Sequence, residues 1–285
     1  MPNKALVTMK IDSHQHYWKI ERTDYGWLTP ASGKLYADFM PEHLRPLLQQ
    51  FDIQKTVVVQ AAPTAAETAF LLDIADHEES LAGVVGWLDL KADDFRQQWE
   101  HFRRNPKFVG IRPMIQDLPS EWILQDGVVE NIAFLAGQGF TIDFQSNPRH
   151  LPYLVQLLAR VPTLKAVVDH LAAPPYASRI LEPWAGYMTQ LAAYPNVMCK
   201  LSGMVYGRNN PGWSPQAVKL YADHVISVFG KRRVMFGTDW PVCTQFATFE
   251  EVLDLMAYVV GPDWTQDERD DAYGRNAERF YGLSV

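Results

Sequence analysis

Two short segments at opposite ends of the 285-residue chain carry residue types that bind metals and move protons. They are Lys10-Ile11-Asp12-Ser13-His14-Gln15-His16 and Val234-Met235-Phe236-Gly237-Thr238-Asp239-Trp240-Pro241. Each reads as a short apolar strand that stops at such groups. In a strand, residues two apart share a face, so His14 and His16 project together, with Asp12 below them. If the first and last strands lie side by side in a closed barrel, Asp239 meets the histidine pair across the mouth. Imidazoles facing a carboxylate are the parts from which a hydrolytic centre is made.

Such an arrangement needs a scaffold, and the rest of the chain supplies its signature. Strand-like runs occupy residues 6–12, 56–60, 81–88, 108–112, 140–144, 165–169, 196–201 and 233–237. Helical spacing lies between them: Leu151, Leu154, Val155, Leu158; then Val218, Tyr221, Ala222, Val225; then Val252, Leu255, Met256, Val259. Pro162 and Pro195 each precede a strand and close the helix before it. Strand-helix alternation implies parallel strands with crossover helices, and runs such as Val57-Val58-Val59 and Ala166-Val167-Val168 suit strands covered on both faces. A doubly wound open sheet usually carries a glycine-rich turn after its first strand, where this chain has His14-Gln15-His16. The expected fold is an α/β single (β/α)8 barrel over residues 1–285, with its active site at the C-terminal ends of the strands.

Those ends are polar at strand after strand: Asp89, Arg112, Asp143 and Gln145, Asp169 and His170, Lys200 and Ser202, then Asp239 and Trp240. A loop-start residue explains any one of them but explains the set poorly. His43, His77, His101 and His224 sit in charged helical patterns and read as solvated, and His150 reads as a surface residue at a helix start. The aromatic stretch 17–40, with Trp18, Tyr25, Trp27, Tyr36 and Phe39, overhangs the mouth as an apolar plug or as a substrate contact. Residues 172–179 and 204–215 add further rim.

Composition narrows the class. The net charge of -7 argues against nucleic acid or an anionic membrane as the main partner. The two cysteines, Cys199 and Cys243, read as buried free thiols of a reducing compartment. No apolar run approaches a membrane span, and residues 1–8 lack the apolar segment of a signal peptide, so a cytoplasmic location is expected.

The Ile11–His16 segment, Val168-Asp169-His170, Phe236–Pro241 and the C-terminal Gly274-Arg275-Asn276-Ala277-Glu278-Arg279-Phe280-Tyr281 together resemble the amidohydrolase superfamily in its amidohydrolase-2 branch. Within it, Trp18, Tyr25-Gly26-Trp27-Leu28, Gly110-Ile111-Arg112 and Lys200-Leu201-Ser202-Gly203 are similar to the sugar-lactone hydrolases, such as L-fuconolactonases and L-rhamnonolactonases. The resemblance runs through the whole chain and implies a lactonase on a distorted (β/α)8 barrel. Where a binuclear member has a bridging lysine or glutamate and a fifth-strand histidine, this chain has Arg112 and Gln145. The resemblance therefore implies at most one divalent ion, zinc by donor type, held by His14, His16 and Asp239, with His170 as a ligand or a hydrogen-bonding group. Metal dependence differs between members of the branch, so the ion can be dispensable.

On this reading Asp239 is the general base and later the acid. His170 orients the water or polarises the carbonyl, and Arg112 stabilises the carbonyl oxygen or binds a sugar hydroxyl. Trp18, Trp27 and Trp240 wall the sugar ring, while Gln60 and Gln145 bind its hydroxyls. Lys200 and Arg112 are the only cations at strand ends, which favours a neutral aldonolactone, L-fuconolactone or a close stereoisomer, over an anionic substrate. The rivals are a decarboxylase of an aromatic or unsaturated acid, which generally has a histidine at the fifth strand end, and a barrel that binds a small ligand without turnover. The retention of His14, His16, His170 and Asp239 together weighs against the latter.

Overall fold

The computed structural model describes residues 9–285, so the part of the first expected strand before Met9 lies outside the described residues. Eight parallel strands run in sequence order: β1 Ile11–Gln15, β2 Lys55–Val59, β3 Leu81–Gly86, β4 Phe108–Ile111, β5 Thr141–Phe144, β6 Lys165–Val168, β7 Val197–Leu201 and β8 Val234–Phe236. The seam between β8 and β1 closes beyond the end of β8. Asp239 N donates to His14 O and His16 N to Trp240 O, both at 2.7 Å, with Gln15 and Trp240 bridged in parallel. The result is the expected distorted (β/α)8 barrel.

The strands are as two-faced as their sequences. Val58 packs outward with the helices, while Val57 and Val59 turn into the lumen with Ile11, Val85, Val167, Met198 and Met235. The main crossover helices are α1 Pro41–Gln50, α2 Ala65–His77, α3 Phe95–Phe102, α4 Asp126–Gly137, α5 Leu151–Arg160, α6 Trp184–Ala192, α7 Pro215–Phe229 and α8 Phe249–Val260. Side-chain oxygens of Thr64, Ser214 and Thr248 accept from the amides of Glu67, Ala217 and Glu251, so α2, α7 and α8 each begin at an N-cap. The C-terminal helix Asn276–Tyr281 places Phe280 and Tyr281 in the lumen cluster. From there Tyr281 OH donates to Asp143 Oδ2 at 2.8 Å.

Two expectations about β1 are corrected. The strand extends through His14 to Gln15, so the first histidine lies inside it rather than past its end. Its pairing with β2 also shifts register between Asp12 and Gln15. Strict alternation from lumen-facing Ile11 would send Ser13 and Gln15 inward. The bulge inverts that parity, as bulges re-aim side chains near functional sites. His14 thereby meets the lumen side chains Lys200 and Arg112, while Gln15 donates from Nε2 to Thr56 Oγ1 at 3.2 Å.

Asp12 is accordingly not on the face of the pair. Its Oδ1 accepts from Thr238 N at 2.9 Å and His14 N at 3.1 Å, and its Oδ2 accepts from Thr238 Oγ1. One fully buried carboxylate thus pins the loop after β8 to β1. Hydrogen bonds to a charged acceptor contribute about 1.5–3 kcal/mol, and removing that acceptor leaves two buried amides unpaired. Asp12→Ala is expected to lower the unfolding free energy by roughly 2–4 kcal/mol, measured by urea denaturation; a loss below half a kilocalorie would show that the seam closes without it.

Candidate active site

The bulge and the seam deliver three imidazoles to one carboxylate oxygen. Asp239 Oδ1 lies 3.0 Å from His16 Nε2, 3.5 Å from His14 Nε2 and 3.8 Å from His170 Nε2. All four side chains are buried. Asp239 sits at φ +58°, a left-handed conformation that aspartate tolerates better than most residues and that its amide bond to His14 O maintains. After β6 the chain makes a run of four left-handed residues, His170 to Ala173. Trp184 Nε1 holds Leu171 O at 2.9 Å, and His170 Nδ1 lies 2.7 Å from Ser202 Oγ. Such conformations cost about 1–3 kcal/mol each and persist where surrounding contacts over-determine them. Gly203 follows at φ +62°, and a Cβ there would come within 2.8 Å of His170 Cβ, so the close approach of β7 to His170 depends on glycine.

The hydrogen bonds fix much of the protonation pattern. His16 Nδ1 faces Val59 O at 2.7 Å, and a carbonyl can only accept, so Nδ1 carries a proton. In the neutral ring the Nε2 lone pair then points at the Asp239 carboxylate from 3.0 Å. Two acceptors that close require a proton or a cation between or beside them. Burial and nearby Lys200 hold His14 well below the usual imidazole range. Burial likewise lowers His170, against the opposing pull of Asp239 and Asp169. Around those neutral rings the buried cations Arg112 and Lys200 face the carboxyl groups of Asp143, Asp169 and Asp239, with Asp12 buried behind Thr238. His14, His170 and Asp239 can place one ligand atom each within 4.8 Å of one another. Donor type and the facing lone pairs both fit one divalent ion here.

A cavity of about 300 Å³ opens above this cluster, at the small end of the range for ligand pockets. Its wall includes His16, His170, Asp239, Arg112, Gln145 and Trp27. A larger cavity of about 610 Å³, between Phe51, Phe236, Leu253 and Tyr273, contains none of the clustered groups; the chemistry belongs to the smaller one. Trp27 is held at the mouth by its indole N–H, which donates to Ala61 O at 2.8 Å.

Other residues expected at the site stand behind its wall. Trp18 is wholly buried among Tyr25, Leu35, Ala61 and Ala62, and backs Trp27 edge-on at 5.3 Å. Trp240 packs against Tyr17 and Phe39. Gln60 clamps Arg112: its backbone oxygen accepts from Nη2, its Oε1 lies 3.1 Å from Nη2, and its Nε2 donates to Arg112 O at 2.9 Å. Lys200 is engaged by internal acceptors and does not reach the cavity. The 17–40 stretch is therefore mainly a packed plug with Trp27 as its contact to the cavity. Cys199 and Cys243 are buried free thiols. His150 corrects its expected surface placement: it is buried and its Nδ1 accepts from Asn147 N at 3.1 Å.

Tyr206 is the chief residue that sequence reasoning missed. It lines the cavity from the loop after β7 and its OH donates to Asp239 Oδ2. Gln116 and Asp117, after β4, also line the cavity, and no periodicity marks loop residues of this kind.

The family model described as Amidohydrolase matches residues 11–283. An L-fucono-1,5-lactonase of Burkholderia ambifaria is 39% identical over 97% of this chain and 97% of its own length. An L-fucono-1,5-lactonase of Burkholderia multivorans is 32% identical over 98% and 97%. A crystal structure of an amidohydrolase from Burkholderia multivorans with bound zinc superposes with a TM-score of 0.90 at 32% identity, covering 97% of this chain and all of that one.

Two outcomes are expected at the site. Tyr206→Phe removes one hydrogen bond to a carboxylate and should lower kcat about tenfold with little change in KM; equal loss in both would place the phenol on substrate instead. The neutral rings of His14 and His170 gain protons only below the ordinary imidazole value of about 6.5. Activity in chelator-treated protein should therefore hold from neutral pH down past 6.5 and fall below it, and a kcat/KM profile already falling at pH 7 would contradict their neutrality.

Proposed function

The chain belongs to the amidohydrolase family, and from that premise we propose that it hydrolyses a sugar lactone to the open aldonic acid. The observation that carries this reading is Asp239 on the cavity wall, its Oδ1 facing three imidazoles and its Oδ2 bonded to Tyr206. The likeness to two L-fucono-1,5-lactonases supports a deoxy-hexonolactone, L-fuconolactone or a close stereoisomer, as substrate.

A lactone is an activated ester and needs a base, a positioned water and a donor for the oxyanion. Asp239 removes a proton from water as its oxygen bonds to the carbonyl carbon. The negative charge that develops on the carbonyl oxygen is met by Arg112, whose guanidinium Gln60 holds in place. The tetrahedral intermediate collapses by breaking the ring C–O bond, and Asp239 returns the proton to the departing alkoxide. His170, fixed through Ser202, orients the water. A bound divalent ion, held by His14, His16, His170 and Asp239, would supply Lewis acidity to the carbonyl oxygen or acidify water. The base and the oxyanion donor are both side chains of this chain, so the ion assists the reaction without being required for it.

The decarboxylase reading is less well supported, since the fifth strand end offers the neutral Gln145 to the cavity. No described helix is long and apolar enough to cross a membrane.

A pH-indicator assay over a panel of aldonolactones should show proton release with L-fuconolactone or a near stereoisomer. Efficiencies should differ between epimers by severalfold to about a hundredfold, from hydroxyl contacts of about 1–3 kcal/mol each. Flat activity across the panel, or preference for an anionic lactone, would discard the substrate assignment. Asp239→Asn should reduce turnover by roughly 10²–10⁴-fold; near-normal turnover would remove it as base. Metal analysis should find at most one ion per chain, and chelation should leave measurable lactonase activity. Complete loss that zinc restores would make the ion essential.

A further inference from the structure

Beneath the imidazole cluster lies a second group of buried charges that the proposed reaction does not use. The ammonium of Lys200 is 2.5 Å from Asp143 Oδ2, 3.1 Å from Asp169 Oδ1 and 3.1 Å from His14 Nδ1. Lys200, Asp143, Asp169 and His14 are all fully buried. The ammonium donates to Asp143 Oδ2 and His14 Nδ1 and forms an ion pair with Asp169. Without the lysine, the same three residues form a donor set of one nitrogen and two carboxylate oxygens whose ligand atoms lie within 4.8 Å of one another. Asp143 accepts a further bond from Tyr281 through Oδ2, while its buried Oδ1 has no hydrogen-bond partner. Two carboxylates and an imidazole converge here, both Asp169 oxygens are likewise buried without a hydrogen-bond partner, and the ammonium stands among them.

We propose that His14, Asp143 and Asp169 form a second cation site whose resident cation is the tethered ammonium of Lys200. The lysine delivers positive charge at a fixed stoichiometry and keeps the barrel to one exchangeable ion. His14 is also flanked by Arg112, whose Nη1 stands 3.4 Å from Nε2, and by Asp169, whose Oδ1 lies 3.4 Å from Nδ1. The lysine therefore opposes metal directly at its own position, where a free cation would need the same imidazole nitrogen and carboxylates. None of this depends on which lactone is turned over.

Lys200→Met keeps an unbranched chain one atom shorter and removes the charge, and Lys200→Ala leaves room for a hydrated ion. Each would be dialysed against Zn2+ alone and against Mn2+ alone, with ions per chain counted by elemental analysis and melting followed with and without the metal. The expected result is one more ion per chain than the parent binds and a metal-dependent rise in Tm larger than the parent's. Lys200→Met/Asp143→Asn should lose that additional ion. Equal stoichiometry in variant and parent would overturn the proposal, as would a parent that takes up two ions or a double variant that keeps the additional one. Variants that remain unfolded even with Zn2+ or Mn2+ present would overturn it too, because a free cation could then not replace the ammonium.

Discussion

The site depends on the seam between the first and last strands. β8 ends at Phe236, three residues before Asp239, and the chain reaches β1 through a loop rather than a continued ladder. The two backbone hydrogen bonds, Asp239 N to His14 O and His16 N to Trp240 O, set the Asp239 carboxylate opposite the two histidines across 223 to 225 positions of sequence. Each backbone bond fixes the partner's side chain as well as its main chain, since the residues that pair are those that carry the functional groups. Asp12 then ties Thr238 into the same joint. Because Asp239 is in a loop at φ +58°, its orientation rests on these contacts and not on strand alternation.

The interior carries an unusual amount of charge for a barrel lumen, and the arrangement shows how it is tolerated. Taking an isolated ion out of water costs several kilocalories even after relaxation, and only close partners offset it. Asp169 illustrates the balance. Burial alone would raise its carboxyl, yet Lys200 and His14 draw it well below the ordinary carboxylate range. Arg112 approaches the same residue at 3.7 Å from the other side. Asp169 thus lies between two cations and couples the lower, fully occupied charge cluster to the upper one that faces the cavity. Tyr281 bonds the lower cluster from below, while the upper one lines the cavity.

Much of this was legible in the chain. Eight β-branched runs with helical spacing between them specified the barrel, because the periods of strand and helix are distinct. His14, His16, His170 and Asp239 could be brought to one place by that topology alone. The bulge in β1 could not be read, since Ile11-Asp12-Ser13-His14 contains no glycine or proline to mark it, and Asp12 was therefore placed on the wrong face. Lys200 and Asp143 stood out as strand-end residues, but their mutual pairing is set by distances across the lumen between β5 and β7. Trp18 and Trp27 have the same composition signal and opposite fates. One is sealed in the plug, while the other is exposed at the mouth because its indole N–H found Ala61 O. Tyr206 lies in an irregular loop, where position follows tertiary contacts.

The cavity wall adds a constraint that the catalytic groups alone do not. Arg112 reaches the wall, but Asp169 stands beside it and its Nη2 is bonded to Gln60, so it does not present a free two-pronged fork of the kind that binds a carboxylate. Among the described wall residues no lysine is present. What the wall does offer is acceptors: Gln145 Oε1 and Gln116 Oε1 have no hydrogen-bond partner, and the Asp117 carboxylate lies next to them. Unpaired acceptors favour a ligand that brings O–H donors and disfavour one that brings another anion. A neutral, hydroxyl-bearing ligand meets that requirement, and the Trp27 indole on the same wall supplies apolar surface. On the proposed lactone reaction, the product would carry a carboxylate among these acceptors, so the wall would favour its release.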